Sequence, residues 1–114
     1  MPECLFCAIV AGQIPATVVG ETDRVLAFRD INPQAPTHVL VIPKDHCRDV
    51  AALAAADDGL LDEVITQAQR VAAAQDIAER GYRIVFNTGA DAGQAVHHVH
   101  AHLLGGRALG WPPG

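Results

Sequence analysis

A chain of 114 residues has room for one domain, since domains commonly run to about 100–150 residues, and an apolar share of 50% supplies one core without disulfide staples. A formal net charge of −5, with no run of Lys or Arg, lacks the basic surplus that gripping a nucleic-acid backbone requires, so nucleic acid is not an expected partner. The opening Met-Pro-Glu carries no basic stretch, the apolar run from Cys4 to Ala11 is far too short to cross a bilayer, and three cysteines do not suit a disulfide framework; a soluble, cytoplasmic protein away from any membrane is expected.

Residues 4–11 lack polar alternation and stop at Gly12, which suits a short helix with a glycine cap, and Ile14-Pro15 marks a turn. Residues 17–20 and 24–28 flank the polar Glu21-Thr22-Asp23 and read as a hairpin. Asn32 to Pro36 is a loop, and Thr37 to Ile42 is a β-rich run stopped by Pro43. From Asp57 to Arg80 the residues Leu61, Val64, Ile65, Ala68, Val71, Ala72 and Ala78 recur at helical spacing, with Gly81 just beyond, and predict the one long helix. Tyr82 to Asn87 returns to strand character, Thr88 to Gln94 is rich in turn residues, and Val96 to Leu104 is a further strand. One long helix among strands otherwise joined by short turns predicts an α+β domain over residues 1–114, built on an antiparallel sheet.

Four of the six histidines fall in His97-His98-Val99-His100-Ala101-His102. On a strand, alternate residues share a face, so His98, His100 and His102 form a row while Val99, Ala101 and Leu103 face the other way. Such a row could hold a metal, could do acid–base or nucleophilic work, or could be an accident of composition. Histidine is not a favoured strand residue, and the row is too spread along the strand for all three to reach one ion, so chemistry is the better reading. An imidazole attacks phosphorus well when its far ring nitrogen donates a hydrogen bond that leaves the near one unprotonated.

The segment from Gly93 to Leu104, GQAVHHVHAHLL, resembles the His-φ-His-φ-His-φ-φ motif of the histidine-triad (HIT) superfamily of nucleotide hydrolases. Gly105-Gly106-Arg107 and the closing Trp111-Pro112-Pro113-Gly114 resemble its Hint branch, the histidine-triad nucleotide-binding proteins that act as purine nucleoside phosphoramidases; residues 28–38 and 41–44 match as well. The resemblance implies the HIT fold, an antiparallel sheet of about five strands with one long and one short helix, in a homodimer. The implied activity is hydrolysis of purine nucleoside phosphoramidates through a covalent nucleotidyl-histidine. A dinucleoside polyphosphate hydrolase, or a nucleotide- or zinc-binding interaction protein with weak turnover, is the alternative.

Carried over position by position, the resemblance makes His100 the nucleophile, oriented by a bond from its far ring nitrogen to the carbonyl of His98, with His102 and His38 near the phosphate and leaving group. Asp30 would take the ribose hydroxyls, Phe6, Ile9, Ile14, Phe28 and Ile31 would enclose the base, and Trp111 would reach toward the partner's site. Asn87 and the main chain of Gly93, Gln94, Ala95 and Val96 would bind phosphate oxygens. Taken without the motif, the apolar members read as core, Asp30 as a turn opener, Asn87 as hairpin chemistry and His38 as a structural histidine. Ala95 stands where this branch usually carries serine, which bears on rate or leaving-group preference, and His97 replaces an aromatic residue, which bears on packing. Some bacterial relatives hold a structural zinc with a Cys-x-x-Cys pair, a histidine after the Pro-Lys pair and the first triad histidine; Cys4, Cys7, His46 and His98 fill those positions, with Cys47 a bystander.

Overall fold

The computed structural model describes residues 4–114, and the opening Met-Pro-Glu lies outside them. Helix α1 spans Leu5–Val10, strands β1, β2 and β3 span Val18–Glu21, Val25–Arg29 and Thr37–Pro43, helices α2 and α3 span Val50–Ala56 and Leu60–Ala74, and strands β4 and β5 span Tyr82–Phe86 and Ala101–Gly105. All pairings are antiparallel, in the order β1-β2-β3-β5-β4, so the last strand is inserted between the third and fourth. The expected five-stranded antiparallel α+β architecture is the one found.

Alternation along the strands divides the apolar residues between two sheet faces. Val25, Ala27, Val39, Val41, Ala101 and Leu103 pack with Val64, Ala68, Val71 and Ala72 of α3 in the larger core. Leu26, Phe28, Leu40 and Ile42 face the other way and are covered by Phe6 of α1. Three functional consequences follow from that division: the short helix covers the face that also carries His38 and His102, the register pairs Leu40 with His102 and His38 with Leu104, and the two histidines are therefore diagonal neighbours.

Two expected elements have bounds other than those the sequence predicts. The helix expected from Asp57 to Arg80 starts at Leu60 and ends at Ala74, and a separate helix, α2, precedes it. Asp57 and Gly59 lie in the left-handed region, with φ of 50° and 83°, which reverses the chain between the helices. At the far end Asp76 has φ of 61° and the Ile77 N–H bonds back to the Ala72 carbonyl, so Ile77 turns inward to seal the core and Ala78 is left outside the helix. Helix α2 had a legible start, since the Asp49 carboxylate caps it by accepting from the Ala52 N–H at 2.9 Å.

The strand expected from Val96 begins only at Ala101, because the Val99 N–H bonds to the Cys47 carbonyl, at 2.6 Å, instead of a neighbouring strand. The alternation nonetheless persists through the irregular segment. Val99 joins Ala101 and Leu103 in the larger core, while His98 and His100 turn to the opposite face and meet the Phe6 ring.

Candidate active site and metal centre

On this face His38, His98 and His100 each have their tautomer fixed by a main-chain partner, and His102 takes its own from His38. His100 Nδ1 lies 2.8 Å from the His98 carbonyl oxygen, which can only accept, so Nδ1 carries the proton and Nε2 keeps its lone pair. The ring is buried, its edge-to-face packing on Phe6 at 5.0 Å limits its rotation, and His102 lies 5.0 Å away by ring centroids. In His38, Nδ1 accepts from the Gln34 N–H at 3.0 Å, so the proton sits on Nε2. That Nε2–H faces His102 Nδ1 at 2.9 Å and the Asp30 carboxylate at 3.4 Å. Donation to His102 Nδ1 leaves the His102 proton on its own Nε2, so the row offers an acceptor nitrogen on His100 beside a donor on His102.

Burial lowers the His38 pKa, with Asp30 acting against the shift. For His102, burial and the neighbouring His100 and His38 imidazoles lower it to about 4, against the opposing pull of Asp30. His102 is therefore a neutral hydrogen-bond donor at physiological pH. Because its pKa is near 6.5 when unfolded, the unfolded chain binds a proton between pH 6.5 and 4 that the folded chain refuses, and stability is present above 6.5 and lost on acidification through that window. Thermal melts across pH 4–7 should show a flatter decline for His102→Gln than for the wild type; parallel curves would refute the assignment.

Asp30, His38 and His102 place three donor atoms close enough to share an ion. A metal on His38 Nε2 would require the proton to move to Nδ1, against the Gln34 N–H that points at it. These three side chains do not fit a metal and form a hydrogen-bonded relay instead.

The second cluster does fit one. Cys4 Sγ, Cys7 Sγ, His46 Nδ1 and His98 Nδ1 lie within 4.8 Å of one another. His98 Nε2–H donates to the Pro43 carbonyl at 2.8 Å, which turns the lone pair of Nδ1 toward Cys4 Sγ at 3.2 Å and Cys7 Sγ at 3.5 Å; Cys7 Sγ is 3.6 Å from His46 Nδ1. Bonds of about 2.3 Å to sulfur and about 2.0–2.1 Å to nitrogen in a tetrahedron give sulfur–nitrogen edges of roughly 3.5 Å, the spacing these pairs have. Burial, and the adjacent Cys4 by hydrogen bond and charge, push the Cys7 thiol up to about 11, so a thiolate here needs a cation beside it. The carbonyl behind His98 is the outer partner expected of a ligating imidazole. Cys47 is outside the cluster, donating to the Asp49 carbonyl at 3.7 Å.

Of the residues expected around a nucleotide, Phe6 and Phe28 are buried against each other at 5.6 Å, with Ile9 at the rim of the same cluster. Ile14 is more open, Ile31 is 99% exposed, and Trp111 projects into solvent. A cavity of about 380 Å³ opens between Pro15–Thr17 and Arg29–Ile31, so Asp30 stands between that opening and the His38 ring. A second cavity, of about 430 Å³, lies at the end of α3 beside Ile77 and Gly81 and includes no expected site residue. Asn87 is half-buried at the end of β4, Gly93 has φ of 79°, Ala95 and His97 are exposed, and Val96 packs on the Phe6 cluster. The Gln34 N–H and the Pro43 carbonyl are invisible in the amino-acid sequence, because main-chain groups carry no signature in residue identity.

This sheet, with its histidine row beneath a cysteine-bearing helix, is the HIT arrangement: the HIT domain matches residues 11–109, and the chain belongs to that family. It is 46% identical to the purine nucleoside phosphoramidase of Escherichia coli strain K12, over 95% of this chain and 91% of that one. It is 48% identical to a 14 kDa zinc-binding protein of Zea mays, over 96% of this chain and 87% of that protein. The crystal structure of a HIT family hydrolase from Legionella pneumophila Philadelphia 1 is 52% identical, with a TM-score of 0.94 over 98% of this chain and all of that one.

Proposed function

We propose that the protein hydrolyses purine nucleoside phosphoramidates, with His100 as the nucleophile. The observation that carries this reading is the His100–His98 bond, which protonates Nδ1 and leaves Nε2 free on a face where a neutral donor, His102, stands beside it. The likeness to the Escherichia coli phosphoramidase supports the substrate class. In the first step His100 Nε2 forms a bond to phosphorus as the bond from phosphorus to the leaving nitrogen breaks, and the leaving nitrogen takes the His102 Nε2 proton and departs as the amine. In the second, water attacks the phosphorus as the His100–phosphorus bond breaks, the water gives a proton back to His102 Nε2, and the nucleoside monophosphate leaves with His100 Nε2 again holding its lone pair. Asp30 holds the ribose, the Phe6, Phe28, Ile9, Ile14 and Ile31 side chains take the base, and Asn87 with the loop of residues 93–96, through its Ala95 and Val96 main-chain N–H groups, takes phosphate oxygens.

A panel of adenosine and guanosine phosphoramidates with different leaving amines, set against a dinucleoside polyphosphate, tests the reading. The phosphoramidates should turn over with the higher kcat/KM, and preference for the polyphosphate would overturn it.

Zinc belongs in the same proposal. Cys4, Cys7, His46 and His98 would hold it, and with four protein ligands it has a structural role, tying α1 to the segment before β5. Free thiols and a metal-ready pair suit the reducing cytoplasm, where we place the protein. No helix among the described residues is long and apolar enough to cross a membrane.

The protein is further proposed to be a homodimer joined at β4. That strand is an edge, five residues long, with Tyr82, Ile84 and Phe86 only partly covered; the opposite edge, β1, is shorter and bulged between Val18 and Gly20. Arg83 on β4 donates to the Gly110 carbonyl at 2.9 Å and so holds the Trp111 tail beside this edge. Sedimentation at micromolar concentration should give twice the chain mass, and deletion of residues 111–114 should change substrate preference more than melting temperature. A monomer mass would dismiss the interface.

A further inference from the structure

We infer that the side chain of Gln94 is a positioning residue that shapes the phosphate-binding main chain without touching the substrate. The inference rests on the proposed role of residues 93–96 as the phosphate loop. Gln94 is buried within a turn-rich surface segment, which is unusual for an amide side chain and demands partners. All of its partners are main chain. Its Oε1 accepts from the Gly89 N–H at 3.0 Å, and its Nε2 donates to the Arg48 carbonyl at 2.8 Å and the Val96 carbonyl at 3.1 Å. Reversing the amide would set its NH2 against an N–H and its oxygen against two carbonyls, so the partners fix its orientation.

The main chain of the same residue completes the clasp. The Gln94 N–H bonds to the Gly89 carbonyl at 3.1 Å, so residues 89 and 94 hold each other by two reciprocal bonds, and the Gly93 N–H bonds to the Ala90 carbonyl at 3.0 Å. The segment is thus closed into a ring from within. The bond to Arg48 then anchors the ring to the stretch between β3 and α2, where the next carbonyl back, that of Cys47, receives the Val99 N–H. The bond to Val96 sets the peptide that leads into the histidine row. Among the described residues, the N–H groups of Ala95 and Val96 have no protein acceptor. Gln94 consequently spends its own polar groups on holding the loop, and leaves the two following amides for an anion.

A general packing role would affect all ligands alike, whereas this role acts on the phosphate alone. Affinities for AMP and for adenosine should therefore separate the two, measured on zinc-replete protein of full length. The wild type should prefer AMP. Gln94→Met, an apolar near-isostere, and Gln94→Glu, which sets a carboxylate against two carbonyls, should weaken AMP binding about tenfold while changing adenosine binding less than twofold, with zinc content unchanged. If the wild type does not prefer AMP, the phosphate-loop reading fails and this inference with it. If the wild type prefers AMP and both variants keep that preference, the Gln94 inference alone fails. Should neither variant fold, hydrogen exchange on the wild type decides: the Gln94 side-chain amide protons should exchange far more slowly than those of exposed Gln13, and equal rates overturn the inference.

Discussion

His100→Ala should lose phosphoramidate hydrolysis by a factor on the order of thousands or more while still binding the nucleotide, because the nucleophile's contribution lies in the transition state and the base and ribose contacts lie elsewhere. The size follows from the two-step route: without an imidazole nitrogen, water must attack phosphorus directly, and both the pre-placed nucleophile and the partitioned barrier are lost. In the wild type, rapid acid-free quenching in denaturant should trap a phosphorus–nitrogen adduct on His100 that persists in alkali and is lost in acid. His102→Ala should be less severe, since it removes a donor beside the nucleophile and leaves the His100–His98 bond intact. Near-normal turnover by His100→Ala would refute the mechanism, whatever the binding data showed.

Cys7→Ser should lower the melting temperature by about 10 °C or more, and chelation of the wild type should do the same. A metal that binds only the folded chain contributes its binding free energy to stability, about 2.7 kcal/mol at a concentration one hundred times its dissociation constant, and each kcal/mol moves the melting point of a domain this size by several degrees. Cys7 is the ligand to remove because its Sγ faces both imidazoles, His46 at 3.6 Å and His98 at 3.5 Å. Elemental analysis of protein purified without chelator should give one zinc per chain for the wild type and a substoichiometric amount for Cys7→Ser. A zinc-free wild type, or melting temperatures that chelator leaves unmoved, would remove the metal from the proposal. His98 links this experiment to the first, since its Nδ1 faces the thiols while its carbonyl orients His100.

The amino-acid sequence by itself determined the strands β2, β3 and β4 to within a residue or so, because short runs rich in β-branched, aromatic and other apolar residues, bounded by Pro43, Gly81 or a polar turn, leave few other conformations. It also determined the family, through the spacing of His98, His100 and His102 and the closing residues. The start of β5 was not legible. Periodicity reports which side a residue faces but not which main-chain group it bonds to, and the Cys47 carbonyl claims the Val99 N–H from far along the chain. The end of α3 was hidden for a related reason: Ile77 fits a helical pattern as well as a core plug, and only the space beneath Gly105, where its side chain packs, selects the plug. Tertiary structure alone decided the chemistry of each imidazole, since Gln34 N–H, Pro43 C=O and His98 C=O set which ring nitrogen keeps its lone pair. Residue identity supplies the imidazole, but the position of its proton is set by backbone dipoles that every residue carries and that only folding brings within 3 Å or so.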